Sequence, residues 1–278
     1  MMRPRRNTAR VDIDRVSEAS SRKRRDAVAV EEPLEIRIVT PVGEEHQVAV
    51  TMRTPGDDFD LAAGFLFSEG LLAGRSDVAD LRYCADVEIQ EYNIVTVHLS
   101  ETARFDPAEL TRNFYTTSSC GVCGKASLEA IEIRGCAPVP AEGPIVAAEV
   151  VRTLPEALRS RQPVFERTGG LHAAGLFDTA GELRLLREDI GRHNALDKVI
   201  GDRLLQGDLP LGDAVLAVSG RASFEIMQKA LTAGIAIVVA VGAPSSLAVD
   251  VAKEFGMTLV GFAKPTGFNV YTSRHRVV

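Results

Sequence analysis

Tryptophan is absent, aromatic residues make up only 5% of the 278-residue chain, and cysteine occurs four times. Proteins that read single-stranded nucleic acid stack bases on aromatic side chains, so this scarcity argues against such a surface. Positive charge is also short: the formal net charge is -6 and the pI near 5.5. The chain as a whole therefore lacks the cationic surplus that draws proteins to a phosphate backbone, and no nucleic-acid partner is expected. Apolar runs of membrane-spanning length are missing as well; the most apolar stretch, residues 235–241, is strand-sized, and no membrane partner is expected. So few cysteines, behind a basic opening with no apolar stretch after it, predict a reducing cytoplasmic setting rather than secretion.

What is present suffices for a large core, since 45% of residues are hydrophobic. Residues 1–27 hold Arg3, Arg5, Arg6, Arg10, Arg15 and the run Arg22-Lys23-Arg24-Arg25, which predicts a basic flexible tail. From residue 28, Leu34-Glu35-Ile36-Arg37-Ile38 and Gln47-Val48-Ala49-Val50-Thr51-Met52 alternate with period two about Pro41-Val42-Gly43, as an antiparallel hairpin does. Asp57 and Asp58 offer helix caps ahead of Leu61, Ala62, Phe65 and Leu66, and residues 93–99 form another strand candidate. Arg53 with Asp57, Asp58 and Asp60 is expected to be cap and solvated face, not a metal site. Cys84 and Cys136 stand alone and are expected as small buried hydrophobes. Residues 28–137 thus read as an α+β domain ending in a cysteine loop, closed by a linker rich in Pro138, Pro140, Gly143 and Pro144.

Residues 145–278 are more regular. A helix over 147–161, a hairpin of 171–177 with 183–187, and a helix over 192–205 come first. Strands at 214–218, 235–241 and 258–262 then alternate with helices at 223–233 and 246–255, which requires crossover connections. That order resembles the cytidine deaminase fold, three layers about a mixed, largely parallel sheet. The fold class is therefore α/β: an α+β amino-terminal unit joined to a deaminase-like, ligand-binding domain.

Chemistry gathers in two places. Cys120-Gly121-Val122-Cys123 sits among small and hydroxylated residues, with Lys125 nearby to favour the thiolate. Such a pair suits half a zinc site, a dithiol couple or a persulfide carrier. No second ligand pair at structural spacing accompanies it, so no zinc is expected. In a parallel sheet, ligands bind beyond the carboxyl ends of the strands. Those ends carry Ser219-Gly220-Arg221-Ala222-Ser223, Gly242-Ala243-Pro244-Ser245-Ser246 and Ala263-Lys264-Pro265-Thr266-Gly267, and the first two open helices. With His193 at the start of an earlier helix and Arg221 and Lys264 as cations, they predict an anionic ligand such as a nucleotide. None of the five histidines begins the H-x-E of a zinc deaminase, and neither a Walker A loop nor a G-x-G-x-x-G after a strand is present.

The segments Ser118-Ser119-Cys120-Gly121-Val122-Cys123-Gly124-Lys125, Thr168-Gly169-Gly170-Leu171-His172, residues 188–198, Ser219-Gly220-Arg221-Ala222-Ser223-Phe224-Glu225 and the carboxyl terminus from Gly261 resemble the FdhD family. That resemblance implies a cytoplasmic sulfur carrier required for formate dehydrogenase activity, a sulfurtransferase in chemical terms. It implies a cysteine desulfurase as sulfur donor and the molybdenum (or tungsten) bis-pterin guanine dinucleotide cofactor as acceptor, before insertion into the formate dehydrogenase catalytic subunit. Cys120 would bear the persulfide and Cys123 would assist or resolve it. The family's cofactor segment would fall on Phe262, Ala263, Lys264, Pro265, Thr266 and Gly267, with Arg221, Ser223 and His193 alongside. A homodimer is implied as well. Two other readings use the same residues: a thioredoxin-like dithiol/disulfide oxidoreductase, and a non-catalytic maturation chaperone.

Overall fold

A computed structural model describes residues 6–18, 20–84, 92–107 and 136–278. Cys120, Cys123 and the regular segment expected at 127–134 lie outside the described residues.

The first sheet forms as its alternation predicts. Strand β3 (Glu32–Val39) buries Leu34, Ile36 and Ile38 completely and turns Glu35 and Arg37 outward, because successive side chains point to opposite faces. Antiparallel to it runs β4 (Glu45–Arg53), after a turn in which Gly43 takes φ 87°. On the other side β6 (Ile94–Leu99) pairs in parallel, and β5 (Val78–Tyr83) closes that edge, for the order β4-β3-β6-β5. Helix α1 (Asp58–Ser68) covers the sheet.

The acidic cluster at the start of α1 departs from expectation. Asp57 occupies the N-cap with φ 55° and makes no side-chain capping bond. Asp58 is buried and receives two hydrogen bonds from the guanidinium of Arg53, at 3.0 and 2.9 Å. Arg53 is itself fully buried and also donates to Glu32 at 3.3 Å and to the Tyr92 carbonyl at 3.2 Å. Arg53 and Asp58 are thus an internal ion pair and Asp60 pairs with Arg187 at 2.8 Å, while Asp57 stays half exposed at the helix start as expected. A guanidinium at the buried end of β4 has to be matched by charge and acceptors.

The amino-terminal segment also departs from the flexible tail expected. Strands β1 (Thr8–Ser17) and β2 (Ser20–Ala29) form an antiparallel ribbon, mostly exposed, whose base rests on helix α3 (Pro163–Thr168). Its register sets acid against base at two positions, Asp12 facing Arg25 with a 3.2 Å ion pair and Asp14 facing Lys23, although Arg15 faces Arg22. Opposite charges directly across strands stabilise pairing, which composition alone conceals.

In the second half, α2 (Ala148–Arg159) and α3 precede β7 (His172–Phe177) and β8 (Leu183–Asp189). Then come α4 (Arg192–Gln206), β9 (Val215–Val218), α5 (Phe224–Thr232), β10 (Ile237–Ala240), α6 (Ser246–Glu254), β11 (Thr258–Lys264) and β12 (Gly267–Val270). The sheet order is β12-β11-β10-β9-β7-β8. β9, β10 and β11 are parallel, and the remaining pairings are antiparallel, so the sheet is mixed with a parallel centre. Helices α4, α5 and α6 pack together on one face, and α2 covers the other. The three layers match the deaminase-like arrangement.

The two sheets meet through helices α1 and α4, which cross at Gly64 and Gly201. The stretch expected as a linker is strapped down: Val139 N–H donates to Phe255 O at 3.0 Å, and the buried Arg276 donates to Pro140 O at 2.5 Å. Cys84 and Cys136 are half-buried, and the Cys136 sulfur lies 3.6 Å from the Thr232 hydroxyl. No helix among the described residues is long and apolar enough to cross a membrane.

Candidate functional site

The parallel strands β9, β10 and β11 end side by side, and backbone hydrogen bonds continue past their ends. Gly242 N–H donates to Gly220 O at 2.9 Å, Ser245 N–H to Ala222 O at 3.0 Å, and Phe262 N–H to Gly242 O at 3.1 Å. The turns after the three strands therefore form one rim at the edge where such sheets hold ligands. A Cβ at Gly242 would stand 3.0 Å from both the Arg221 Cγ and the Gly220 carbonyl. Glycine there lets the exposed Arg221 lie against the neighbouring turn.

The two helix starts on this rim differ. Ser245 caps α6, its hydroxyl accepting from Ala248 N–H at 3.2 Å. Ser223 occupies the N-cap of α5 without a capping bond, and its hydroxyl lies 3.3 Å from His193 Nε2. The Glu225 carboxylate takes up part of that helix start instead, accepting from the Ser223 hydroxyl and from its own backbone N–H. Glu225 lies 3.7 Å from the same imidazole nitrogen.

Both histidines here are held neutral. Burial pushes His193 down to about 4, helped by Arg192, Lys229 and His172 and opposed by Glu225. His172, at the start of β7, is lowered by burial and then by Arg192. A Cβ at Gly220 would lie 3.4 Å from His172 Nδ1 and 3.9 Å from the Arg192 Cδ, so these three pack together. Among the described residues, Arg192 Nε is buried without a hydrogen-bond partner.

The shifted imidazole makes a pH prediction. An unfolded His193 takes its proton near 6.5 and the folded one only near 4. Between those values the unfolded state binds more protons, so stability falls as pH falls through that window; above it neither state is protonated and the effect vanishes. Urea midpoints at about pH 7 and pH 4.5 should drop less in His193→Gln than in the unmodified chain. Equal drops would refute the assignment.

Of the residues singled out from the sequence, the structure brings His193 and Ser223 together and sets Arg221 in the turn whose neighbour holds Phe262. Phe262 has φ 54° and is 47% exposed. A bulky residue in that region is strained, and such strain concentrates at functional sites. Ala263 is buried, whereas Lys264, Pro265 and Thr266 are exposed in the turn before β12, where Lys264 pairs with Gly267. Among the described residues, no hydrogen bond or ion pair joins Lys264 to Arg221 or Ser223.

The segment 188–198 divides its work. Asp189 and Lys198 are buried and paired at 2.8 Å. Lys198 Nζ also donates to Thr54 O at 3.0 Å, and Asp189 accepts from Thr54 N–H at 3.2 Å. Asn194 donates to Met52 O at 2.8 Å and to Asp189 at 3.1 Å. These three residues clamp β4 against α4, leaving His193 to face the rim. The sequence reading missed His172, Arg192 and Glu225 as site neighbours, although each stands in a segment it had singled out.

A family model described as the FdhD/NarQ family matches residues 29–278. The chain belongs to the FdhD/NarQ family. It is 50% identical over 274 residues to the sulfur carrier protein FdhD of Streptomyces coelicolor, covering 97% of this chain and 95% of that one. The Mycobacterium tuberculosis protein of the same name is 51% identical over 91% of this chain and 92% of its own. That of Sulfurisphaera tokodaii is 43% identical over 97% and 98%. The crystal structure of a proposed formate dehydrogenase accessory protein from Desulfotalea psychrophila superposes with a TM-score of 0.75. At 22% identity, over 98% of this chain and all of that one, it shows the shared FdhD fold.

Proposed function

We propose that this chain carries sulfur for the maturation of formate dehydrogenase. The observation that carries the reading is the family match, which runs through Cys120 and Cys123, together with 50% identity to a protein named as a sulfur carrier. The Cys120 thiolate attacks the terminal sulfur of a cysteine desulfurase persulfide. The donor's S–S bond breaks as the new one forms, and the donor cysteine leaves as thiolate, with no net oxidation. Delivery turns that sulfur into sulfide. Cys123 attacks the Cys120 sulfur, hydrosulfide departs toward the cofactor substrate, and a disulfide between Cys120 and Cys123 remains. The thiol pair supplies the two electrons, and a dithiol reductant restores it. Both thiols must be free of metal for this, so the purified protein is proposed to hold no stoichiometric zinc.

The acceptor in this reading is the molybdenum bis-pterin guanine dinucleotide cofactor. The rim supports it: the exposed Arg221 suits diphosphate, and neutral His193 beside the Ser223 hydroxyl offers hydrogen bonds without charge. Incubation with a cysteine desulfurase and cysteine should add the mass of one sulfur atom to the chain, removable by dithiothreitol; no gain would sink the proposal. Guanosine diphosphate should bind, and Arg221→Ala should weaken it about tenfold by calorimetry, since a charge-assisted hydrogen bond contributes roughly 1.5–3 kcal/mol. Unchanged affinity would remove Arg221 from the site.

A further inference from the structure

We propose that one face of the β1–β2 ribbon docks an acidic patch on the protein that receives the rim's ligand. Residues directly opposite in an antiparallel pair share a face. The register therefore gathers Val11, Ile13, Arg15, Arg22, Arg24 and Val28 on one side, with Asp26 as the acid among them. Val11 and Val28 are 37% and 39% exposed, and the three arginines stand exposed beyond them, toward the far end of the ribbon. Among the described residues, none of these three guanidinium groups makes a hydrogen bond or an ion pair. The opposite face differs, since there Arg25 meets Asp12 at 3.2 Å and Lys23 stands across from Asp14.

Arg15 stands directly opposite Arg22, and like charges so placed oppose strand pairing. Carboxylates brought from outside would remove that repulsion, which selects an acidic partner. Of the chain's 32 basic and 38 acidic residues, nine and four fall within positions 1–29, so the remainder carries a net charge of -11 and the ribbon is a local excess of positive charge. Nucleic acid fits this face poorly, because Asp26 would meet its phosphates and Val11, Ile13 and Val28 would find no apolar surface there. A stable second copy fits poorly as well. Each strand has ten residues. At about 3.3 Å per residue and about 10 Å across two strands, one face offers roughly 330 Å2. A stable interface takes about 800 Å2 from each partner. A small charged surface suits a steered, transient encounter instead.

Position indicates which protein is met. A Cβ on Gly170 would lie 3.9 Å from the Ala29 Cβ at the base of the ribbon, and one on Gly220 would lie 3.4 Å from His172 Nδ1. The segment 170–172 thus joins the ribbon's base to the rim. A protein docked on the ribbon is placed beside the ligand it is to take. Naming that protein rests on the function proposed above; the acidic docking face does not.

The test follows association of the full chain with a purified, cofactor-free formate dehydrogenase catalytic subunit. The association rate should fall about tenfold or more as salt rises from about 50 to about 500 mM. It should fall by a similar factor, about tenfold, in the triple variant Arg15→Ser, Arg22→Ser, Arg24→Ser at low salt. The control is Arg10→Ser, Lys23→Ser, Arg25→Ser, which removes the same charge from the other face and should leave the rate nearly unchanged. No binding, binding insensitive to salt, or equal losses in the two triple variants overturns the proposal. So does a loss seen only with a cysteine desulfurase, with a short DNA duplex or in self-association by sedimentation, since the face would then belong to the sulfur donor, a nucleic acid or a second copy. Sulfur loading on Cys120 is read by mass in the same samples. Loading without ribbon-dependent docking sinks the docking face alone; ribbon-dependent docking without loading sinks the sulfur-carrier reading alone.

Discussion

Replacing Cys120 by alanine is expected to abolish both the transferable persulfide and formate dehydrogenase maturation, while Cys123→Ala still loads sulfur on Cys120 but delivers it poorly. The asymmetry follows from what each chemistry asks of its two sulfurs. A dithiol reductase needs both thiols, because the second must resolve the mixed disulfide made by the first. A carrier needs one sulfur to hold the cargo. The second is required only at release, where it supplies the electrons that turn sulfane sulfur into sulfide. Without Cys123 the loaded form should therefore accumulate, and an external dithiol should partly rescue delivery. The readout is the mass of the 120–123 peptide after desulfurase treatment, beside formate dehydrogenase activity in cells carrying each variant. The loss in Cys120→Ala should be total, since the carrier reading assigns the cargo to Cys120 alone. Undiminished loading in both variants, with loss of insulin disulfide reduction in both, would replace the carrier by an oxidoreductase.

Much of the second half was legible because its periodicities change sharply at Gly and Pro. The strands at β9, β10 and β11 and the helices between them stand close to where their apolar runs place them. The strand-end rule then located the rim, although it could not tell that the Ser223 hydroxyl meets His193 and Glu225 rather than capping α5. What stayed hidden was buried charge. Arg53, Asp58, Asp189, Lys198 and Arg276 are all within 4% of complete burial, yet in the sequence they look like any surface arginine or aspartate. Nothing local distinguishes them, since their partners lie on other elements: Lys198 reaches Thr54, 144 positions away. The ribbon was missed for a related reason, because its pairing is a register between two strands that composition does not display. Cys120 and Cys123 were legible as chemistry alone, from residue type and spacing.

The buried charges and the rim are coupled through α4, whose first turn carries His193 and whose body carries Lys198. Asp197 shows the same economy: fully buried, it accepts from Lys229 of α5 at 2.9 Å and from Ser68 of α1 at 2.9 Å. Burial raises its pKa and Lys229 opposes that rise. One helix thus fixes both the joint between the sheets and the position of the imidazole that meets Ser223. Disturbing the joint should reach the rim.

The sharpest way to disturb it is a methyl group. Gly64 of α1 and Gly201 of α4 meet backbone to backbone: a Cβ on Gly64 would fall 1.8 Å from the Asp197 carbonyl oxygen, and one on Gly201 would fall 1.8 Å from that of Asp60. The contact is reciprocal, each glycine lying four residues after the carbonyl that its partner faces. Neither obstacle is a flexible side-chain end, so the helices themselves must separate. Alanine normally stabilises a helix interior by about 1 kcal/mol over glycine, and here that gain should be overwhelmed. Overpacking by a methylene costs roughly 1–3 kcal/mol where side chains can yield, and backbone cannot yield so cheaply. We expect Gly201→Ala to lose at least about 3 kcal/mol, or roughly 6–12 °C in Tm for a chain of this size. Gly64→Ala should do the same, and the double variant should lose less than the sum, because helices already parted by one methyl admit the other. Gly207→Ala on the same chain serves as a control, since nothing lies within 4 Å of its Cβ position and the strain is only that of φ 80°. If Gly201→Ala melts with the unmodified chain, the two helices do not approach this closely, and the joint must be held by its ion pairs alone.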